Sequence, residues 1–266
     1  MSKITMGNYY PQNSIVHRID PRVKLFLALV LMIIVFFLDK PIPIAIYALG
    51  IILLIILAKI DFKTILRTIK PLIFFTSFAF VINLFSVRGT TLFSLGPLTA
   101  SVEGLITGAL MAIRLVFLVI ASSILMTLTT TSLLLADSIE SLLKPLKILK
   151  VPVHDIAMMI SIALRFIPTL ADEADKITKA QSSRGANYDT GGFLQRVRGL
   201  VTILIPLFVS AIKRAEELAI AMESRCYRGD IGRSKYKPLR LKGQDIVFLC
   251  VSLAYVAAIV LVQFVF

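Results

Sequence analysis

The chain has 266 residues, 57% of them hydrophobic, and a mean hydropathy of +0.86. Globular soluble chains are roughly 45–50% apolar, so this composition excludes an ordinary soluble domain and points to membrane-spanning helices. Lys and Arg number 29 against 16 Asp and Glu, a formal net charge of +13. With no aromatic-interleaved basic patch, that excess argues against a nucleic-acid partner. It reads as a record of topology and of contact with anionic lipid in the bilayer.

Residues 1–22 form a polar lead-in ending His17-Arg18-Ile19-Asp20-Pro21-Arg22. No cleavable leader is expected there, since the first apolar run lacks a small-residue cleavage site. Asp20 is placed to cap a helix whose first residue is Pro21, where a missing N–H costs nothing. The apolar run Val23–Leu38 is short for a span, with Lys24 and Lys40 set to snorkel at its ends. Asp39-Lys40-Pro41 makes a tight reversal into Ile42–Ala58. A basic loop, Lys59–Lys70, precedes Pro71 and a third run, Leu72–Val87. A more polar loop, Ser86–Ser101, leads to a fourth run, Gly104–Leu128, and Ile246–Phe266 closes the chain.

The fold class that follows is an all-α integral membrane protein with about five transmembrane helices plus cytoplasmic or interfacial amphipathic helices. Its expected organisation is a cytoplasmic lead-in (1–22), four transmembrane helices (23–130), a cytoplasmic helical region (131–243) and a final transmembrane helix (244–266). With the N-terminus in the cytoplasm, 26 of the 29 Lys and Arg fall inside, 18 of them between Lys144 and Lys242. Lys40 and Arg88 fall outside and Arg114 within a span, so the asymmetry favours N-terminus in and C-terminus out. Val151–Leu170 and Gly199–Ile212 are apolar enough to resemble two further spans, which would preserve that parity. Crossing would carry Asp155 and Arg165 to membrane depth, at roughly 2.5–3.5 kcal/mol each near a span's centre. They are therefore expected to graze the membrane and turn into the cytoplasm at Pro168 and Pro206.

The middle of the chain carries one phrase twice. Gln181-Ser182-Ser183-Arg184-Gly185-Ala186 is followed 41 residues later by Met222-Glu223-Ser224-Arg225-Cys226-Tyr227. Each follows an apolar run interrupted by a proline, Pro168 or Pro206, and then a segment with helical spacing: Ala174, Ile177, Gln181 and Ala211, Ala215, Leu218, Met222, Cys226. Gly185 and Gly229 suit helix ends, which places both arginines near C-termini where the helix dipole favours a cation. Small residues (Ala171, Ala174, Ala180, Ser182, Ser183, Ala186) allow close helix crossing. The plain reading of Arg184 and Arg225 is two cations among many facing lipid headgroups. The paired context favours docking, because arginine suits planar, bidentate contact with a partner carboxylate.

Other chemistry is sparse. There is no phosphate-cradling Gly-rich loop ending in Lys, no His-Glu-x-x-His and no metal-ligand spacing around Cys226 and Cys250. His17 reads as interfacial, and His154 beside Asp155 points away from it on a helix. Asp172 and Asp175 share a helix face and suit a Mg²⁺-diphosphate, as in a membrane-embedded transferase, but a solvated helix start explains them better. Arg114, about ten residues into the fourth run, is an intramembrane polar site, and its packing partners are expected among Asn83, Glu103 or backbone carbonyls. An autonomous carrier would need paired discontinuous spans and more intramembrane polar residues.

On these residues the chain resembles the transmembrane T component of energy-coupling factor transporters, ABC-type micronutrient importers. The likeness covers nearly the whole length. It starts at Ser14 through Lys24, resumes at Leu142-Leu143-Lys144-Pro145-Leu146-Lys147 and Arg165-Phe166-Ile167-Pro168, and is most specific at the two arginine phrases. The family's motif is often Ala-Arg-Gly. Here Ser183 stands before Arg184, and Ser224 and Cys226 flank Arg225, so small residues are kept. The resemblance implies a non-catalytic coupling subunit whose Arg184 and Arg225, with Ser183, Gly185, Ser224 and Cys226, dock on two cytosolic ABC-type ATPases. It implies that ATP and Mg²⁺ are bound by those partners, with no cofactor or metal on this chain. It further implies a small membrane-embedded substrate-binding S component for a vitamin or a metal such as cobalt or nickel, with Pro168 and Pro206 as hinges, in a bacterial cell membrane.

Overall fold

A computed structural model describes residues 10, 12–87, 89–95, 98–144, 152–185, 192–229 and 241–265. Arg88, Pro145, Lys147 and Ala186, invoked above, lie outside them. Helices dominate: α1 (Ile15–Arg18), α2 (Pro21–Phe36), α3 (Pro41–Ala58), α4 (Phe62–Ser86), α5 (Val102–Ser122), α6 (Ser132–Leu143), α7 (Val153–Ser183), α8 (Phe193–Ser224) and α9 (Gly243–Val265). A π-helical turn, Ser123–Leu128, prolongs α5. The chain is an all-α integral membrane protein, relieved by one small hairpin.

Local chemistry explains most boundaries. Asp20 caps α2 by accepting from the Arg22 N–H at 2.9 Å, with Pro21 in the first turn as expected. Helix α3 ends on Lys59 in the left-handed region, φ 54°. Two boundaries depart from the sequence reading. Helix α4 begins at Phe62 rather than at Pro71, so Lys63, Arg67 and Lys70 ride on its first turns and Pro71 stands inside it. A proline deletes only the bond its own N–H would make, and neighbouring helices support the gap. The loop after α4 contains an antiparallel pair, β1 (Thr91–Leu95) and β2 (Leu98–Ser101), in register Phe93↔Ala100 and Leu95↔Leu98. Short, unalternating strands carry no period-2 signal to find.

The described residues divide into two compact units, those up to Ser138 together with residues 241–265, and those from Ile139 to Gly229. The first holds α2–α5 and α9, the five runs expected to span. Its hydrophobic core joins Leu27, Leu31 and Val35 of α2 to Tyr47 and Ile51 of α3, Ile124 and Leu125 of the π-helical turn, and Ile259 of α9. Direction is set by contacts at both ends. The Asp20 N–H donates to Asp245 Oδ1 at 2.8 Å where α2 and α9 begin, and Lys40 Nζ donates to the Gln263 carbonyl at 2.9 Å where they finish. Helices α2 and α9 therefore run parallel. Tyr10 ties the start of α4 to the end of the α5 segment, donating from Oη to Asp61 and from its N–H to the Leu128 carbonyl.

Small residues let these helices approach. A Cβ on Gly104 would lie 2.7 Å from the Asn83 carbonyl and one on Gly108 3.1 Å from Phe80, so this Gly-x-x-x-Gly stripe seats α5 directly on α4. Outward, Phe74, Phe75 and Phe78 of α4 are more than half exposed, as a lipid-facing surface requires.

In the second unit α7 and α8 pack on each other. Both run unbroken through their prolines, Pro168 and Pro206, instead of turning there. Only the bonds to Leu164 and Thr202 are forgone in 31- and 32-residue helices. Among the described residues, six helices are long and apolar enough to cross a membrane: α3, α4, α5 with its π-helical turn, α7, α8 and α9. Helix α2, at 16 residues, is shorter than that set, whereas α7 and α8 have its lowest hydropathy, 1.4 and 1.5 against 1.7–2.6.

Candidate functional site

The two arginine phrases form the ends of the two longest helices, and they end alike. Arg184 is the C-cap of α7 (φ −90°, ψ 7°) and Arg225 the C-cap of α8 (φ −92°, ψ 13°). The following residue turns left-handed in each: Gly185 at φ 86° and Cys226 at φ 56°. In α8 the Cys226 N–H donates to the Glu223 carbonyl and the Tyr227 N–H to the Met222 carbonyl, a complete Schellman closure. In α7 the Gly185 N–H donates to Ser182 in the matching way. Gly185 thus ends its helix as expected. Gly229 does not, because Cys226 already occupies the left-handed place three residues earlier.

These caps satisfy backbone groups without using the guanidiniums. Arg184 and Arg225 are exposed, and among the described residues neither side chain enters an ion pair or hydrogen bond. The flanking serines turn inward instead: Ser183 Oγ donates to the Lys179 carbonyl at 3.0 Å and Ser224 Oγ to Ala221 at 3.1 Å. Each phrase therefore presents one free planar cation on a compact, small-residue end. That geometry suits a bidentate carboxylate or carbonyl acceptor on another surface.

One contact between the helices is electrostatic. Glu173 of α7 stands 2.7 Å from Arg214 Nη2 and accepts a hydrogen bond from Ser210 Oγ of α8. The Glu173–Arg214 contact is an ion pair without good hydrogen-bond alignment. Asp172 and Asp175 are exposed, as a solvated pair would be, but they stand well inside α7 rather than at a helix start, and among the described residues no cluster of His, Cys, Asp and Glu could hold a metal.

Arg114 finds partners in the turn that follows α2. Its Nε and Nη2 donate to the Leu38 carbonyl at 3.1 and 2.5 Å, and Nη2 meets Asp39 Oδ1 at 2.6 Å. A backbone carbonyl was among the expected partners, whereas Asn83 and Glu103 are engaged elsewhere, with Ala79 and Thr90. The arginine thereby satisfies the carbonyl of the residue just beyond the C-cap of α2, where the helix dipole also favours a cation. Cys226 and Cys250 are both free thiols.

A second constellation escaped the sequence reading. Lys24 does not snorkel: it is 1% exposed, with Nζ donating to the Thr129 carbonyl at 3.0 Å and to His17 at 3.4 Å. The buried carboxylates of Asp20 and Asp245 belong to the same cluster. Asp245 Oδ2 also accepts the Lys242 N–H at 2.7 Å, capping α9. His17 bridges Tyr10 and Ser14 through its ring nitrogens, and burial, with Lys24 nearby, lowers its pKa below the ordinary histidine value. The only sequence signal was an Asp at the head of each of two apolar runs 225 residues apart. His154 likewise pairs with Glu140 at 3.3 Å rather than with its neighbour Asp155.

A family model described as cobalt transport protein, CbiQ, matches residues 12–237. The energy-coupling factor transporter transmembrane protein EcfT of Ruminiclostridium cellulolyticum is 46% identical over 99% of this chain and 98% of its own. Its namesakes from Heliobacterium modesticaldum (47% identical, 92% of each chain) and Bacillus subtilis (42% identical, 97% of each chain) are similar over the same extent. With twin arginine-capped helices, a block of apolar helices and a match along nearly its whole length, the chain belongs to the EcfT family of energy-coupling factor transporter transmembrane proteins.

Proposed function

We infer that this chain is the coupling scaffold of an importer in which two cytosolic ABC-type ATPases drive a membrane-embedded substrate-binding subunit for a vitamin or trace metal. ATP and Mg²⁺ belong to the ATPases, and this chain contributes no catalytic group. The observation that carries the reading is the pair of similarly built helix ends, each offering one arginine that is unengaged among the described residues. The relatives' shared printed name, a transmembrane protein of an energy-coupling factor transporter, supports it.

Charge placement argues that α7 and α8 lie against the cytoplasmic face. The longest uncharged stretch of α8, Gly199–Ile212, spans roughly 21 Å at 1.5 Å per residue, short of a hydrocarbon core of about 30 Å. The apolar half of α7 contains Asp155 and Arg165. The N-terminus is then cytoplasmic and the C-terminus outside. Closure of the ATPase pair shifts the two arginine-bearing ends relative to each other. Each shift travels along a continuous helix, with Pro168 and Pro206 as the weak points at which it bends.

The test is co-purification and uptake with Arg184→Ala, Arg225→Ala and the double variant. Each single change is expected to cost about 2–5 kcal/mol of ATPase binding if its contact is buried, and the double variant to lose uptake and copurifying ATPase. Arg184→Lys, which keeps charge but not the planar fork, should fall between. A double variant that folds, retains the ATPases and transports fully would overturn the docking role. Cys226 offers a topology check, since its exposed thiol should react with a maleimide only from the cytoplasmic side.

A further inference from the structure

A cleft opens between α3 and α9 on the outer face of the first unit, with a volume of about 190 Å³. Tyr47, Gly50, Leu54 and Leu57 of α3 line one wall, and Phe248 and Tyr255 of α9 the other. The walls are almost wholly apolar, and the rim residues Leu49 and Val251 are each about two-thirds exposed, at 65% and 64%. From Tyr47 to Leu57 the helix rises about 15 Å, half of a hydrocarbon core of about 30 Å and so the depth of one leaflet.

A second pocket, of about 310 Å³, adjoins it at Leu57, which lines both, and mixes apolar walls with polar and cationic side chains. Asn13, Arg18 and Lys59 surround this pocket. Both cations are exposed, and among the described residues neither forms an ion pair. The nearby carboxylate of Asp61 accepts a hydrogen bond from Tyr10 Oη. Lys59 is the left-handed cap of α3, so its side chain leaves the helix at a defined point. The pocket sits where α2 begins and α3 ends, the end of the block that also carries Lys63, Arg67 and Lys70.

We propose that these two adjoining pockets together form a binding site for one anionic phospholipid, its phosphate held by Arg18 and Lys59 and an acyl chain laid between α3 and α9. Charge selects the headgroup, and the cleft's apolar walls and one-leaflet depth select a lipid tail over a soluble anion. This end faces the cytoplasm by the charge asymmetry, the side where anionic lipids concentrate. The site is separate from the arginine-capped helix ends and stands whether or not they dock ATPases.

The full-length chain in nanodiscs of phosphatidylcholine with a minority of phosphatidylglycerol tests it, with retained lipid read by native mass spectrometry. Preferential retention of one phosphatidylglycerol is expected. Each cation near a membrane surface contributes roughly fivefold, so Arg18→Gln with Lys59→Gln should lower that preference about 30-fold. Ser252→Phe, which fills the cleft, should lower retention of either lipid. Lys63→Gln with Arg67→Gln, on the same charged end but outside the pocket, should change nothing. Equal retention of the two lipids, or equal loss in the Lys63/Arg67 variant, would overturn the site. So would displacement by soluble glycerol phosphate, which would mark a headgroup-only pocket. Cross-linking of Ser252→Cys to a protein partner without lipid retention would also overturn it, by showing that a helix fills the cleft.

Discussion

The unit holding α2–α5 and α9 and the unit holding α7 and α8 differ in how they use a cation at a helix end. In the first, two cations are engaged internally while Arg18 and Lys59 stay exposed: Lys24 is buried against backbone carbonyls beside Asp20 and Asp245, and Arg114 closes the end of α2 on Leu38 and Asp39. In the second, arginines also stand at helix C-termini, but Arg184 and Arg225 cap their own helices through the backbone and leave their guanidiniums in solvent. The large hydrophobic cluster lies wholly in the first unit, whereas the described residues of α7 and α8 bury little beyond Val153, Ala157 and Gly199. Low burial alone does not set the second unit apart, since α4 of the first buries as little as α7 and turns its phenylalanines to lipid; the difference lies in the charge, which without an internal partner among the described residues is available to an external one.

That contrast can be broken most forcefully at Lys24. Lys24→Ala leaves the Thr129 carbonyl and two buried carboxylates without their cation, at an expected cost of about 3 kcal/mol. Unfolding in mild detergent measures it. A loss of only a few tenths would mean the cluster is dispensable and that the first unit does not depend on internal charge. Arg184→Ala in the same assay should leave stability nearly unchanged.

A smaller effect is expected between α7 and α8. The Glu173–Arg214 pair is partly exposed, with side chains 23% and 36% accessible, so solvent screening limits it to about 0.5–1 kcal/mol. A double-mutant cycle with Glu173→Ala and Arg214→Ala reads that coupling. A value of several kcal/mol would show that the pair is sealed by surroundings beyond the two helices.

The smallest effect compares the two arginine ends with each other. A non-glycine residue in the left-handed region costs roughly 1–2 kcal/mol, of which glycine's greater freedom in the unfolded chain offsets about half. Cys226→Gly should therefore stabilise the end of α8 by about 0.5–1 kcal/mol, and Gly185→Ala should weaken the end of α7 by about 1 kcal/mol. Hydrogen exchange in each helix's last turn resolves both. Unchanged exchange would mean that the caps are not limiting the helix ends.

Much of this was legible from residues alone. Long apolar runs announced the membrane helices, because a span must be apolar along its whole length. Asp20-Pro21 announced a helix start, and the repeated Ser-Arg phrase announced two matched ends, because caps and left-handed turns depend on a few adjacent residues. Tertiary structure decided what depends on distant segments meeting. Lys24, apparently a snorkelling end residue, is buried because α9 brings Asp245 against Asp20 from 225 positions away. Arg114 gained its partner because the end of α2 reaches the middle of α5. Pro71, Pro168 and Pro206 looked like boundaries yet stand inside continuous helices, since a single lost hydrogen bond is outweighed by the many that continue on either side. Local chemistry is written in neighbouring residues, whereas the fate of a buried charge is settled only by what packs against it.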